Sequence, residues 1–94
     1  MSESLRTLVA ACDGKTGVGL RALMFTNKFT ESDWTELVAH ARQSLPEVWA
    51  QFAVGFCLYY GKGATKDEVE GVRLLRLAAE QGHAPAQDRL GVAQ

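Results

Sequence analysis

Few side chains in this sequence stand at spacings that chemistry could use. Asp13-Gly14-Lys15-Thr16-Gly17 has the residue types of a phosphate-cradling loop. A Walker loop needs another glycine five residues before Gly14, where Val9 stands, and a β-strand ahead of it, which the pattern does not provide. The segment therefore reads as a glycine loop. His40 and His83 each lack a second histidine or cysteine at i+3 or i+4, so neither starts a metal site. Cys12 and Cys57 lie far apart in sequence and outside any C-x-x-C pattern, as free buried thiols in a reducing cytoplasm would, although sequence alone leaves a disulfide open. Asp67, Glu68 and Glu70 crowd one short stretch, but it is the first turn of an expected helix, where negative charge complements the dipole. No nucleophile, base and pocket come together. The sequence predicts no catalytic residue, no cofactor and no metal.

Binding chemistry is better represented. The helix expected over Pro46–Tyr60 carries Ala50, Gln51, Val54, Gly55 and Leu58 on one side and Trp49, Phe52, Phe56 and Tyr59 or Tyr60 on the other. A helix apolar on both sides is either buried on both or offers one side to a partner. Trp49, Phe56, Tyr59 and Tyr60 are therefore candidate partner contacts, since tyrosine and tryptophan are enriched among binding hot spots. Phe52 is the member of the stripe expected in the core. Arg73 and Arg76 lie among polar positions of the next helix, where pairs with Glu70 and Glu80 or a contact to an acidic partner are both open.

The elements that must position these residues are all helical. Leu5, Leu8, Val9 and Cys12 recur at helical spacing over residues 3–12, with Ser2 or Ser4 as cap. A second helix is expected over Thr16–Phe25. Thr30 with Asp33 forms a capping-box pattern ahead of Trp34, Leu37, Val38 and Ala41. Ser44-Leu45-Pro46-Glu47 repeats the start signal, and Gly61 suits a left-handed helix end. Thr65 or Asp67 caps a helix over Glu68–Gln81, Gly82 ends it, and a last helix begins near Ala84-Pro85. No run alternates as a strand would, so the class is all-α.

The sequence also repeats. A shift of thirty-six positions lays Ala50-Gln51 on Ala86-Gln87, Val54-Gly55 on Leu90-Gly91, and Val18-Gly19 on Val54-Gly55. A period of about 20–50 residues with two helices in each is the signature of an α-solenoid, in which stacked helix pairs bury what one pair cannot. Gly55 and Gly91 are expected where another helix comes close. Within residues 48–82, Ala50-Gln51, Val54-Gly55, Gly61-x-Gly63, Asp67, Ala78-Ala79 and Gln81-Gly82 resemble a Sel1-like repeat, a relative of the tetratricopeptide repeat. Leu58, Gly71 and Leu74 depart from the tyrosine, alanine and aromatic residue common at those places.

The resemblance implies a short α-solenoid of antiparallel helix pairs, about five to six helices in one domain over residues 1–94. Residues 1–45 would form a degenerate repeat, 46–82 the Sel1-like repeat and 83–94 a capping helix. It further implies a protein-binding module, either a small adaptor or an immunity-like inhibitor of a toxin or effector. Self-association through the solenoid ends is the alternative, with a monomer or weak homo-oligomer as the expected state. Composition agrees by exclusion. A net charge of −1 gives neither a nucleic-acid footprint nor a polybasic membrane signal. No signal peptide and no run of about 18 apolar residues is visible. The expected partner is another protein, with no nucleic acid and no membrane, and the expected location is cytoplasmic.

Overall fold

The computed structural model describes residues 2–13, 19–26, 28–83 and 86. They form five helices and no strand: α1 (Glu3–Cys12), α2 (Leu20–Met24), α3 (Glu31–Arg42), α4 (Val48–Tyr60) and α5 (Glu68–Glu80). The all-α expectation holds.

A side-chain cap sets the start of α1, α3 and α5. The Ser2 hydroxyl accepts from the Leu5 N–H at 3.1 Å and donates to the Glu36 carboxylate at 2.8 Å, so one side chain caps α1 and ties it to α3. Thr30 and Asp33 form the reciprocal capping box ahead of α3. Asp67, rather than Thr65, caps α5 by accepting the Glu70 N–H at 3.1 Å. The expected serine cap on α4 is not made. The helix begins at Val48, two residues later than Pro46, with Glu47 at the N-cap position and no side-chain cap. The reason lies in the reversal from α3. The Ser44 N–H bonds to the Ala41 carbonyl and the Glu47 N–H to the Ser44 carbonyl, so residues 43–46 are a turn that has already used these groups. The second helix is also shorter than Thr16–Phe25. It is a single turn starting at Leu20, and the positions before Gly19 lie outside the described residues.

Helix α4 is the centre of the bundle. Ala50, Phe52, Ala53, Val54, Gly55, Phe56, Cys57 and Leu58 are all buried, covering every side of the cylinder. Helix α5 lies antiparallel to it in the largest interface, with Gln81 bonded to Gln51 at one end and the Asp67 N–H to the Leu58 carbonyl at the other. The seam is close because two glycines face each other. A β-carbon on Gly55 would stand 2.9 Å from the Gly71 carbonyl oxygen, and one on Gly71 would stand 2.8 Å from the Gly55 carbonyl oxygen. Leu74 and Leu75 fill the space beside Gly55. Helix α3 packs on α4, α1 on both, and α2 on α1.

Gly61 takes the left-handed cap expected of it (φ +71°), and the Lys62 N–H returns to the Cys57 carbonyl. Gly63, also at positive φ, brings the loop onto the first turn of α3, where the Glu31 carboxylate accepts its N–H at 2.6 Å. The helix expected after Ala84 and the close approach expected at Gly91 fall outside the described residues. Ala86 is described, and it is buried in the core.

Candidate protein-binding surface

The aromatic stripe of α4 divides between core and surface. Phe52 and Phe56 are 2% and 0% exposed, and their rings lie 6.0 Å apart. Phe52 was expected in the core. Phe56 was a candidate contact, and its burial removes it from any accessible surface. It sits one turn on from Phe52, on the side of α4 that the rest of the bundle covers.

Trp49, Tyr59 and Tyr60 are half-buried. Tyr60 rests on the core, with its ring 4.8 Å from Phe56, and Tyr59 meets Tyr60 edge-on at 5.0 Å. Trp49 faces His40 across the α3–α4 turn at 5.7 Å. Ten residues of helix separate Trp49 from Tyr59, about 15 Å along the axis. The candidates therefore form two patches. Trp49 with His40 lies where α3 turns into α4. Tyr59 with Tyr60 lies where α4 gives way to the glycine loop.

The two arginines differ in state. Arg73 grips the Glu70 carboxylate with both ends of its guanidinium, Nε at 2.7 Å and Nη2 at 2.5 Å. This contact holds the Glu70 carboxyl below its usual range and raises Arg73. Both side chains are substantially exposed, so the pair mainly fixes the geometry of the helix surface. Arg76 is exposed and pairs with no carboxylate among the described residues.

Two exposed apolar side chains were not chosen from sequence. Val69 is 83% exposed on the first turn of α5. It lies off the stripe of Gly71, Leu74, Leu75 and Ala78 and between Glu68 and Glu70, which is a readable signal of outward orientation. Phe25 is 69% exposed just after α2, with the Arg21 guanidinium 6.0 Å from its ring centre. Its position depends on how early α2 stops, which periodicity does not give.

The two thiols are not activated as nucleophiles. Cys12 and Cys57 are free and buried. Burial pushes the Cys57 thiol up to about 12 and the Cys12 thiol well above its ordinary value, so both are protonated and poor nucleophiles at neutral pH. Among the described residues no group of three His, Cys, Asp or Glu side chains is placed to hold a metal ion. No helix among them is long and apolar enough to cross a membrane.

The comparisons with known proteins support the repeat. The family model described as Sel1 repeat matches residues 50–83, which spans α4, the glycine loop, α5 and its glycine stop. Searches of curated proteins and of solved structures return no significant match. The matched segment and the antiparallel α4–α5 pair coincide, and the fold is that of a tetratricopeptide-like helical repeat. Sel1 repeats are generally non-enzymatic helical modules that commonly mediate protein–protein interaction.

Proposed function

We propose that this protein is a small cytoplasmic binding module that holds one dedicated protein partner, as an adaptor or as an immunity-like inhibitor of a toxin or effector. The observation that carries this reading is the Sel1 repeat match over the α4–α5 pair, together with aromatic rings left half-open at its edges. Tyr59 and Tyr60 form the first contact patch and Trp49 the second. Arg76 supplies a positive charge on α5 that pairs with no carboxylate among the described residues, and Arg73, already paired with Glu70, supplies a lesser one. Tyr59 takes precedence over Tyr60, because Tyr60 also packs on the core and its loss would confuse binding with stability. Free thiols fit a reducing compartment.

The test compares affinity capture by the parent, Tyr59→Ala, Trp49→Ala and Arg76→Ala. A hot-spot residue should lower affinity by about 2 kcal/mol, roughly 30-fold, with the melting temperature nearly unchanged. A partner retained equally by all three variants would sink the surface assignment. The self-association reading predicts instead a molar mass that rises with protein concentration and no stable heterologous complex.

A further inference from the structure

His83 occupies a position for which packing alone gives no account. The chain leaves α5 through Gly82, whose φ of +86° turns it back toward the bundle, and the His83 N–H returns to the Ala78 carbonyl at 3.2 Å. The imidazole therefore lies inward, 5.1 Å from the Phe52 ring of α4. Its Nε2 is enclosed and has no hydrogen-bond partner among the described residues. A hydrogen bond to the Cys12 backbone and the nearby Asp13 charge connect the ring to the end of α1. One side chain thus touches the ends of α1 and α5 and the centre of α4.

We propose that His83 is a proton-operated latch: neutral, it holds the end of α5 against α1 and α4, and protonated, it releases that contact.

The chemistry follows from the two ring nitrogens. In neutral imidazole one nitrogen donates and the other accepts. With the Cys12 backbone taking the donor, Nε2 is left as an unused acceptor. Protonation turns this enclosed atom into a charged N–H with nothing among the described residues to receive it, which forfeits its hydration. Opposing effects exist. The Asp13 carboxylate and the Cys12 backbone favour the cation, and so does the face of Phe52. Enclosure is the largest influence, and it holds the imidazole below its usual 6.5. Asp13 is the charged group that α1 brings to the ring, α4 brings the uncharged Phe52, and Glu80 lies on its own helix. The sign is therefore fixed. A histidine whose folded value is lowered contributes stability that is present above 6.5 and is lost as pH falls through the folded value. The loss therefore sets in below 6.5 and is complete below the folded value.

The test is an NMR titration of both imidazoles from pH 8 to pH 5. The latch predicts a His83 midpoint below 6.5. Over the same range the Cys12 and Asp13 amides should lose exchange protection and the Phe52 ring signals should shift. The companion variant is His83→Phe, which keeps a ring against Phe52 and removes the titration. Parent stability in urea should fall between pH 7 and pH 5, and that of the variant should stay flatter. If His83→Phe does not fold, the titration of the parent still decides. A His83 midpoint at or above 6.5, or amides at the end of α1 that stay protected through the titration, overturns the proposal.

Discussion

Gly55 and Gly71 mark the place where a single methyl group should force α4 and α5 apart. On Gly55 it would stand 2.9 Å from the Gly71 carbonyl oxygen and 3.0 Å from both the Leu74 β-carbon and the Leu75 nitrogen. On Gly71 it would stand 2.8 Å from the Gly55 carbonyl oxygen and the Tyr59 nitrogen, and 3.0 Å from the Tyr59 α-carbon. Ordinary contacts between carbon atoms rest at about 3.5–4.0 Å, so each substitution is short by roughly half an ångström or more. Most of the opposing atoms are backbone and cannot swing aside. Two terms then compete. Alanine in place of glycine favours the helix by about 1 kcal/mol. Overpacking a tight interface costs about 1–3 kcal/mol. The second should win at Gly71, where the three nearest opposing atoms are all backbone, leaving Gly71→Ala up to about 2 kcal/mol less stable. Gly55→Ala should be less affected, and Gly55→Leu should reach the upper end of the overpacking range.

The same geometry predicts coupling. One separation of the helices relieves both clashes, so the double alanine variant should lose less than the sum of the singles, by about 0.5–1 kcal/mol. Urea unfolding followed by circular dichroism measures each value, and an unchanged dependence on urea keeps the comparison two-state. In a domain of this size each kcal/mol corresponds to roughly 4–8 °C in Tm. A Gly71→Ala protein that gains about 1 kcal/mol, with additive effects in the double variant, would refute the close-crossing account.

Two other glycines separate backbone strain from contact. A β-carbon on Gly63 would overlap the Trp34 carbonyl group at positive φ, whereas one on Gly82 would meet nothing within 4 Å. Gly63→Ala should therefore cost about 3 kcal/mol or more and Gly82→Ala only about 1 kcal/mol, as read from thermal melts. The cysteines give a chemical test. With both thiols raised by burial, the folded state keeps their protons longer than the unfolded chain does, so stability should fall as pH rises past 9 toward about 12. At pH 8, labelling with a thiol reagent should be slow in buffer and complete in urea, and rapid labelling of the folded protein would contradict their burial.

Much of this fold was legible because the relevant signals are local. Thr30 with Asp33, Asp67 ahead of Glu70, and Gly61 after Tyr60 each name a helix end by chemistry that needs no tertiary partner. The start of α4 was misplaced for the same reason. Ser44-Leu45-Pro46-Glu47 has the residues of a helix start, but the turn out of α3 claims its backbone groups first, and that competition is tertiary. Phe56 could not be separated from Tyr59 and Tyr60 on one helical wheel. Which parts of α4 are covered depends on where α1, α3 and α5 lie. Gly71 reads in sequence as a small departure from an alanine, and only the crossing of α4 and α5 shows that it faces Gly55.

The glycine loop shows why the residues of the matched repeat stand out in sequence. Gly61 is needed by its own helix, because a left-handed residue must end α4. Gly63 is needed by its neighbour as well. It lies against the Trp34 backbone and gives its N–H to Glu31, so the second glycine of Gly-x-Gly records contact with α3. In the N-terminal half, the stretch Phe25–Thr30 reaches the same tryptophan differently. Phe29 meets Trp34 edge-on at 6.1 Å, and Thr30 is used as a cap. Contact made through a side chain does not require the residue to be glycine. The glycine spacing is then absent even though a loop still packs on the first turn of α3. A joint is legible in sequence where backbone meets backbone, because only glycine fits there, and it loses that signature where a side chain makes the contact.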